Sequence, residues 1–163
     1  MFLGMTPQVF GHTLISLVGI ASGFVVAYGL LTAKRLDGWT STFLWTTVMT
    51  SGTGFMLPAD RILPSHIVGA ISLPVLVIAF YARYRRHTGD SWRRIYVGAG
   101  MTALYLNVFV LVVQLFLKVP ALNALAPTQA EPFAVAQGVV FLSFVGLSIA
   151  AVKRFRGAHL QTA

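Results

Sequence analysis

The chain of 163 residues contains no cysteine, which excludes disulfides, thiolate nucleophiles, cysteine-held iron–sulfur clusters and covalent c-type haem. Acids are almost as scarce, with Asp37, Asp60, Asp90 and Glu131 the only carboxylate side chains. Two of them, Asp37 and Asp90, stand in turns beside lysines and arginines, where local pairing is the expected use. Paired-carboxylate hydrolysis therefore has little to work with. Also missing are H-E-x-x-H, G-x-S-x-G, G-x-G-x-x-G and a phosphate-binding loop, the arrangements that would announce a zinc protease, a serine hydrolase or a nucleotide enzyme. Charge of either sign is low, at 10% of residues against 56% hydrophobic, where soluble domains carry roughly 25% and 45–50%.

What is present is a set of long apolar runs. Five stretches, 9–31, 41–57, 65–84, 95–117 and 133–152, read as spanning helices, because backbone amides in lipid must be satisfied within their own segment and about 20 residues cross about 30 Å. The run 121–126 reads as a short interfacial helix in the longest connection, 119–132. The expected fold is an all-α polytopic bundle of five helices in one transmembrane domain, 1–163.

The basic residues orient that bundle. Lys34, Arg35, Arg83, Arg85, Arg86, Arg93, Arg94, Lys153, Arg154 and Arg156 fall on one side, and only Arg61 and Lys118 on the other. Basic residues beside short loops stay cytoplasmic, so the N-terminus is expected outside and the C-terminus inside a bacterial cytoplasmic membrane. The uncharged tail 1–8 lacks the basic start of a cleaved signal peptide, and the first helix is read as retained. Trp39, Tyr81, Tyr84, Trp92 and Tyr96 gather at the same cytoplasmic ends as interfacial anchors would. The net charge of +8 then points to anionic lipid headgroups rather than nucleic acid, since no separate domain is left to hold a strand.

Two units share a pattern. Gly11-His12 begins a segment ending in Asp37-Gly38-Trp39, and Ser65-His66 begins one ending in Asp90-Ser91-Trp92. This reads as a duplicated two-helix hairpin followed by a lone fifth helix, with coincidence among common membrane residues as the other reading.

Polar residues inside apolar segments need a partner or a purpose. His12, Ser16, Gly19 and Gly23 form one stripe at helical spacing, and Thr46, Thr47, Thr50, Ser51, Thr53 and Gly54 form an arc on the second segment. Asn107, Gln114 and Lys118 share a face of the fourth. Asn107 is expected either to clamp that helix to the hydroxyl arc or to line a polar path with Ser16, Thr46, Thr50 and Gln114. His12 and His66, at similar outer depth, are candidate ligands for haem b or a divalent metal, with Arg61 or Lys118 to pair with propionates; interfacial histidines bonded to backbone or water are the plainer alternative. His87 and His159 lie in basic cytoplasmic segments and are expected to be solvated.

The runs Tyr105-Leu106-Asn107-Val108-Phe109 to Gln114, Lys118-Val119-Pro120-Ala121-Leu122, Leu125-Ala126-Pro127-Thr128-Gln129, Gly11-His12-Thr13 and Pro64-Ser65-His66 resemble a family of small polytopic bacterial inner-membrane proteins over most of the chain. That resemblance implies a multi-pass membrane protein and brings no activity, cofactor or site residue with it. Three functional classes follow from the sequence. The first is a non-enzymatic accessory or assembly subunit, with a membrane-protein partner or further copies of itself. The others are a haem b- or quinone-binding electron carrier using His12 and His66, and a small proton or solute transporter lined by Thr46, Thr50, Asn107 and Gln114.

Overall fold

The computed structural model describes residues 6–57, 64–84, 90–125 and 131–155. These form six helices and no strand: α1 (Pro7–Leu31), α2 (Asp37–Phe55), α3 (Pro64–Tyr84), α4 (Asp90–Lys118), α5 (Pro120–Leu125) and α6 (Glu131–Phe155). Asp60, Arg61, Arg85, Arg86, His87, Arg156 and His159 lie outside the described residues.

Local chemistry sets the ends of α1. The Thr6 side chain accepts from the Val9 N–H at 3.4 Å, with Pro7 in the first turn, where its missing N–H costs nothing. At the other end the Lys34 N–H reaches back to the Gly29 carbonyl at 2.8 Å across Ala33, whose φ is 57°. This is a left-handed stop, which alanine adopts at a cost of roughly 1–2 kcal/mol relative to its normal backbone. Ala33→Gly should therefore raise stability by roughly 0.5–1 kcal/mol, read as a higher unfolding midpoint in detergent. An unchanged or lower midpoint would count against the left-handed stop.

Four of the helices, α1, α3, α4 and α6, are long and apolar enough to cross a membrane. The architecture is that of a membrane protein. The expectation of five such spans is corrected at α2. Within its 19 residues lie Thr40, Ser41, Thr42, Thr46, Thr47, Thr50, Ser51 and Thr53, and this hydroxyl content leaves it outside that set. Boundaries differ as well: α4 starts at Asp90 rather than 95, because Asp90 through Arg94 already form its first turns, and α5 replaces 121–126.

Packing follows from which faces carry small residues. α1 and α2 run antiparallel over their whole length, since His12 meets Thr53, Gly19 lies against Thr46, and Gly23 against Phe43. α3 and α4 form a second antiparallel pair, joined by Tyr81 on Trp92 with ring centroids 5.3 Å apart. α4 is the central helix, touching α1, α2, α3, α5 and α6. Phe43, Leu44, Leu76, Ala79, Val97, Met101 and Leu104 form the sealed core around it. α6 lies in the groove between α1 and α4, where Phe144 packs on Phe24 and Tyr105. Leu14, Leu17, Val77, Leu142 and Ile149 face outward, a surface for which lipid is the natural solvent.

Candidate functional site

At the end of the bundle where α1 begins, the half-buried His12 places Nδ1 2.9 Å from the Thr53 hydroxyl. That hydroxyl donates its single proton to the Met49 carbonyl at 2.6 Å. With its proton so engaged the hydroxyl is placed to accept from His12 Nδ1–H, the tautomer that leaves the Nε2 lone pair to a ligand, water or headgroup. Gly54 lies beside the ring, where an added Cβ would sit 3.4 Å from His12 Cε1. Lys118, at the exposed end of α4, is close enough for its charge to act on His12.

His66 is elsewhere. Its ring stacks on Phe55 with centroids 5.9 Å apart and an interplanar angle of 19°. Thr53 and Phe55 point about 200° apart around α2 at 100° per residue. The two histidines thus flank the last turn of α2 instead of facing each other. Among the described residues no group of three or more His, Asp or Glu side chains gathers around a common point. Arg61, the other cation assigned to this end, lies outside the described residues.

Deeper in, the polar stripe of α1 meets the hydroxyl arc of α2. Ser16 donates to the His12 carbonyl at 2.7 Å, Thr46 to that of Thr42 at 2.6 Å, and Thr47 to that of Phe43 at 2.7 Å. Each hydroxyl is absorbed by its own helix one turn back. The Thr50 hydroxyl is enclosed and has no partner among the described residues. Asn107 donates from Nδ2 to Thr47 Oγ1 at 3.0 Å, so it ties α4 to the fully buried Thr47. Gln114, two turns further along α4, is half-buried and hydrogen-bonds no described residue. The bond of Asn107 to Thr47 fastens α4 to α2. Asn107→Leu should cost about 1 kcal/mol, the usual scale of a polar contact between membrane helices. The denaturant midpoint is the check, and a loss above about 3 kcal/mol would mean that Asn107 holds more than Thr47.

At the opposite end Arg83 performs a role that sequence reading did not assign to it. Its guanidinium lies 3.2 Å from the Asp37 carboxylate, donates to the Asp37 carbonyl at 3.0 Å, reaches the hydroxyls of Ser41 and Tyr96 at 3.5 Å, and covers the Tyr84 ring at 5.3 Å. One side chain thereby ties α2, α3 and α4 together. Asp37 also pairs with Arg35 at 3.7 Å, and Asp90 pairs with Arg93 and with Arg94, so both acids act at the starts of α2 and α4, where the helix dipole favours negative charge. Gln137 was likewise missed: it is 8% exposed and donates to the Phe109 carbonyl at 3.1 Å, with no partner for its Oε1 among the described residues.

No family model, curated protein or solved structure matches the chain.

Proposed function

We propose that this protein is a non-enzymatic accessory or assembly subunit of a membrane complex. In this reading it lies in a bacterial cytoplasmic membrane with the start of α1 outside and the Arg83 end inside, and α2 crosses beside α1. Lys34, Arg35, Arg83, Arg93, Arg94, Lys153 and Arg154 at one end, against Lys118 at the other, support that orientation, with anionic lipids as their counter-charge. The antiparallel contact from His12–Thr53 to Gly23–Phe43 supports α2 as a further crossing, shielded on two sides by α1 and α3.

The observation that carries the accessory reading is how the intramembrane polar groups are used. His12–Thr53, Asn107–Thr47 and Gln137–Phe109 each join one helix to another, which is what a rigid scaffold needs. Mild extraction followed by native mass measurement tests it. The expected result is a species heavier than one chain, either with other membrane subunits or as a homo-oligomer; isolation strictly as a monomer from crosslinked cells would end the proposal.

One observation favours a second reading, an electron carrier holding haem b or a quinone: the His12 Nδ1–Thr53 hydrogen bond, which in the Nδ1–H tautomer presents Nε2 as a ligand atom. His66 stands across α2 from His12, so the reading rests on His12 as the ligand. A Soret band that shifts on dithionite reduction, and is lost in His12→Ala, is the expected signature of bound haem. A purified complex with no such band would remove it.

A further inference from the structure

The membrane-facing surface between α4 and α6 carries polar groups that the scaffold does not use. On α4, Gly98, Thr102, Tyr105 and Phe109 share one stripe at spacings of four, three and four residues. A Cβ added at Gly98 would meet nothing within 4 Å, and Thr102 is exposed. On α6, Phe141 lies edge-on to Tyr105 with centroids 5.7 Å apart, and Gln137 reaches Phe109. Continuing that antiparallel register two turns along sets Ser148 opposite Gly98.

Most of the described Ser and Thr hydroxyls bond their own helix, and those here, like the enclosed Thr50, do not. Ser16, Ser22, Thr42, Thr46, Thr47, Ser72 and Ser143 each donate to a carbonyl of their own helix, whereas Thr102, Tyr105 and Ser148 hydrogen-bond no described residue. Lipid tails offer them nothing to bond. The stretch from Gly98 to Tyr105 lies about 6–16 Å along α4 from Arg94 at 1.5 Å per residue, which in the orientation proposed above puts it inside the hydrocarbon region on the basic side.

We infer that this notch binds a flat, lipid-soluble molecule bearing ring carbonyls, of the isoprenoid quinone class. Tyr105 and Thr102 supply hydroxyl donors one turn apart for the carbonyl oxygens, which carry no protons of their own and so need donors. Phe141 and the Tyr105 ring form an aromatic wall against which the ring lies. Gly98 keeps the floor of the notch low enough for that ring to approach the helix. The site is separate from the His12 end and does not depend on the accessory reading: a subunit of a complex and a lone chain would present it equally.

The test is photoaffinity labelling of the purified full chain in nanodiscs with an azido-benzoquinone carrying a decyl tail. Saturable labelling is expected, mapping to the peptides that contain Thr102–Tyr105 or Phe141–Ser148. It should fall at least fivefold in the near-isosteric double variant Thr102→Val/Tyr105→Phe. Gly98→Leu should abolish it while leaving the circular dichroism spectrum and unfolding midpoint unchanged, since open space surrounds that position. Labelling that does not saturate, that is equal in the double variant, or that maps beside His12 and Lys118 would overturn the inference. So would displacement by decyl acetate as effective as by unlabelled quinone, which would mark a groove for acyl chains alone.

Discussion

Gly23→Leu is expected to destabilise the bundle by about 3 kcal/mol or more, at or beyond the upper end of ordinary overpacking. Even a methyl group at this position would lie 2.5 Å from Leu104 Cδ1 and 2.9 Å from Phe43 Cε2, with Phe43 and Leu104 both about 1% exposed and unable to swing outward. Intrinsic propensity runs the other way, since leucine is better than glycine in a helix by somewhat under 1 kcal/mol. The sign of the effect is thus decided by packing. Gly138→Leu serves as the control: nothing lies within 4 Å of its added Cβ, so it should be neutral or slightly stabilising. Gly19→Ala should fall between, because its Cβ would meet Thr46 Oγ1 at 3.2 Å. Denaturant titration followed by circular dichroism orders the three, and a Gly23→Leu protein as stable as the parent would sink the close α1–α2–α4 contact.

The faces of that contact were legible in the sequence because membrane helices have little besides close approach and hydrogen bonds to hold them together. The spacing of His12, Ser16, Gly19 and Gly23 therefore marked one close-approach face and the hydroxyl arc of Thr46, Thr47, Thr50 and Thr53 another, though that the two meet is seen only in the structure. Asn107 bonded to Thr47 is the clamp expected of an amide in mid-segment. Other features were hidden for physical reasons. α2 was read as a span like the other four on its length, but its hydroxyls leave it less apolar than α1, α3, α4 and α6; a count of hydroxyls against aliphatic residues would have separated it. Depth alone could be read for His12 and His66, whereas the azimuth that sends Thr53 and Phe55 to opposite sides of α2 depends on how three helices pack. Arg83 was indistinguishable from the other basic flanks, because nothing in a run of arginines tells which will turn back over a carboxylate 46 residues away.

The second large effect concerns that arginine and is asymmetric. Arg83 is 11% exposed and Asp37 60% exposed, so removing one partner is not equivalent to removing the other. Asp37→Ala leaves an enclosed guanidinium without its carboxylate, its Nε having no partner among the described residues, and also removes a negative charge from the first turn of α2. A loss of about 2–3 kcal/mol is expected, below the 3–5 kcal/mol of a fully buried pair because the carboxylate side is open to solvent. Arg83→Met leaves only a solvated carboxylate still beside Arg35 and keeps an unbranched apolar stem against Tyr84, so roughly 1–2 kcal/mol is expected from the lost hydrogen bonds. The double variant should then be more stable than Asp37→Ala alone, since removing the stranded charge removes most of the penalty. Unfolding free energies of the four proteins in one detergent give the coupling directly. Additive losses would mean that Arg83 is a solvated flank like Arg94, and that α2, α3 and α4 are joined at this end by something else.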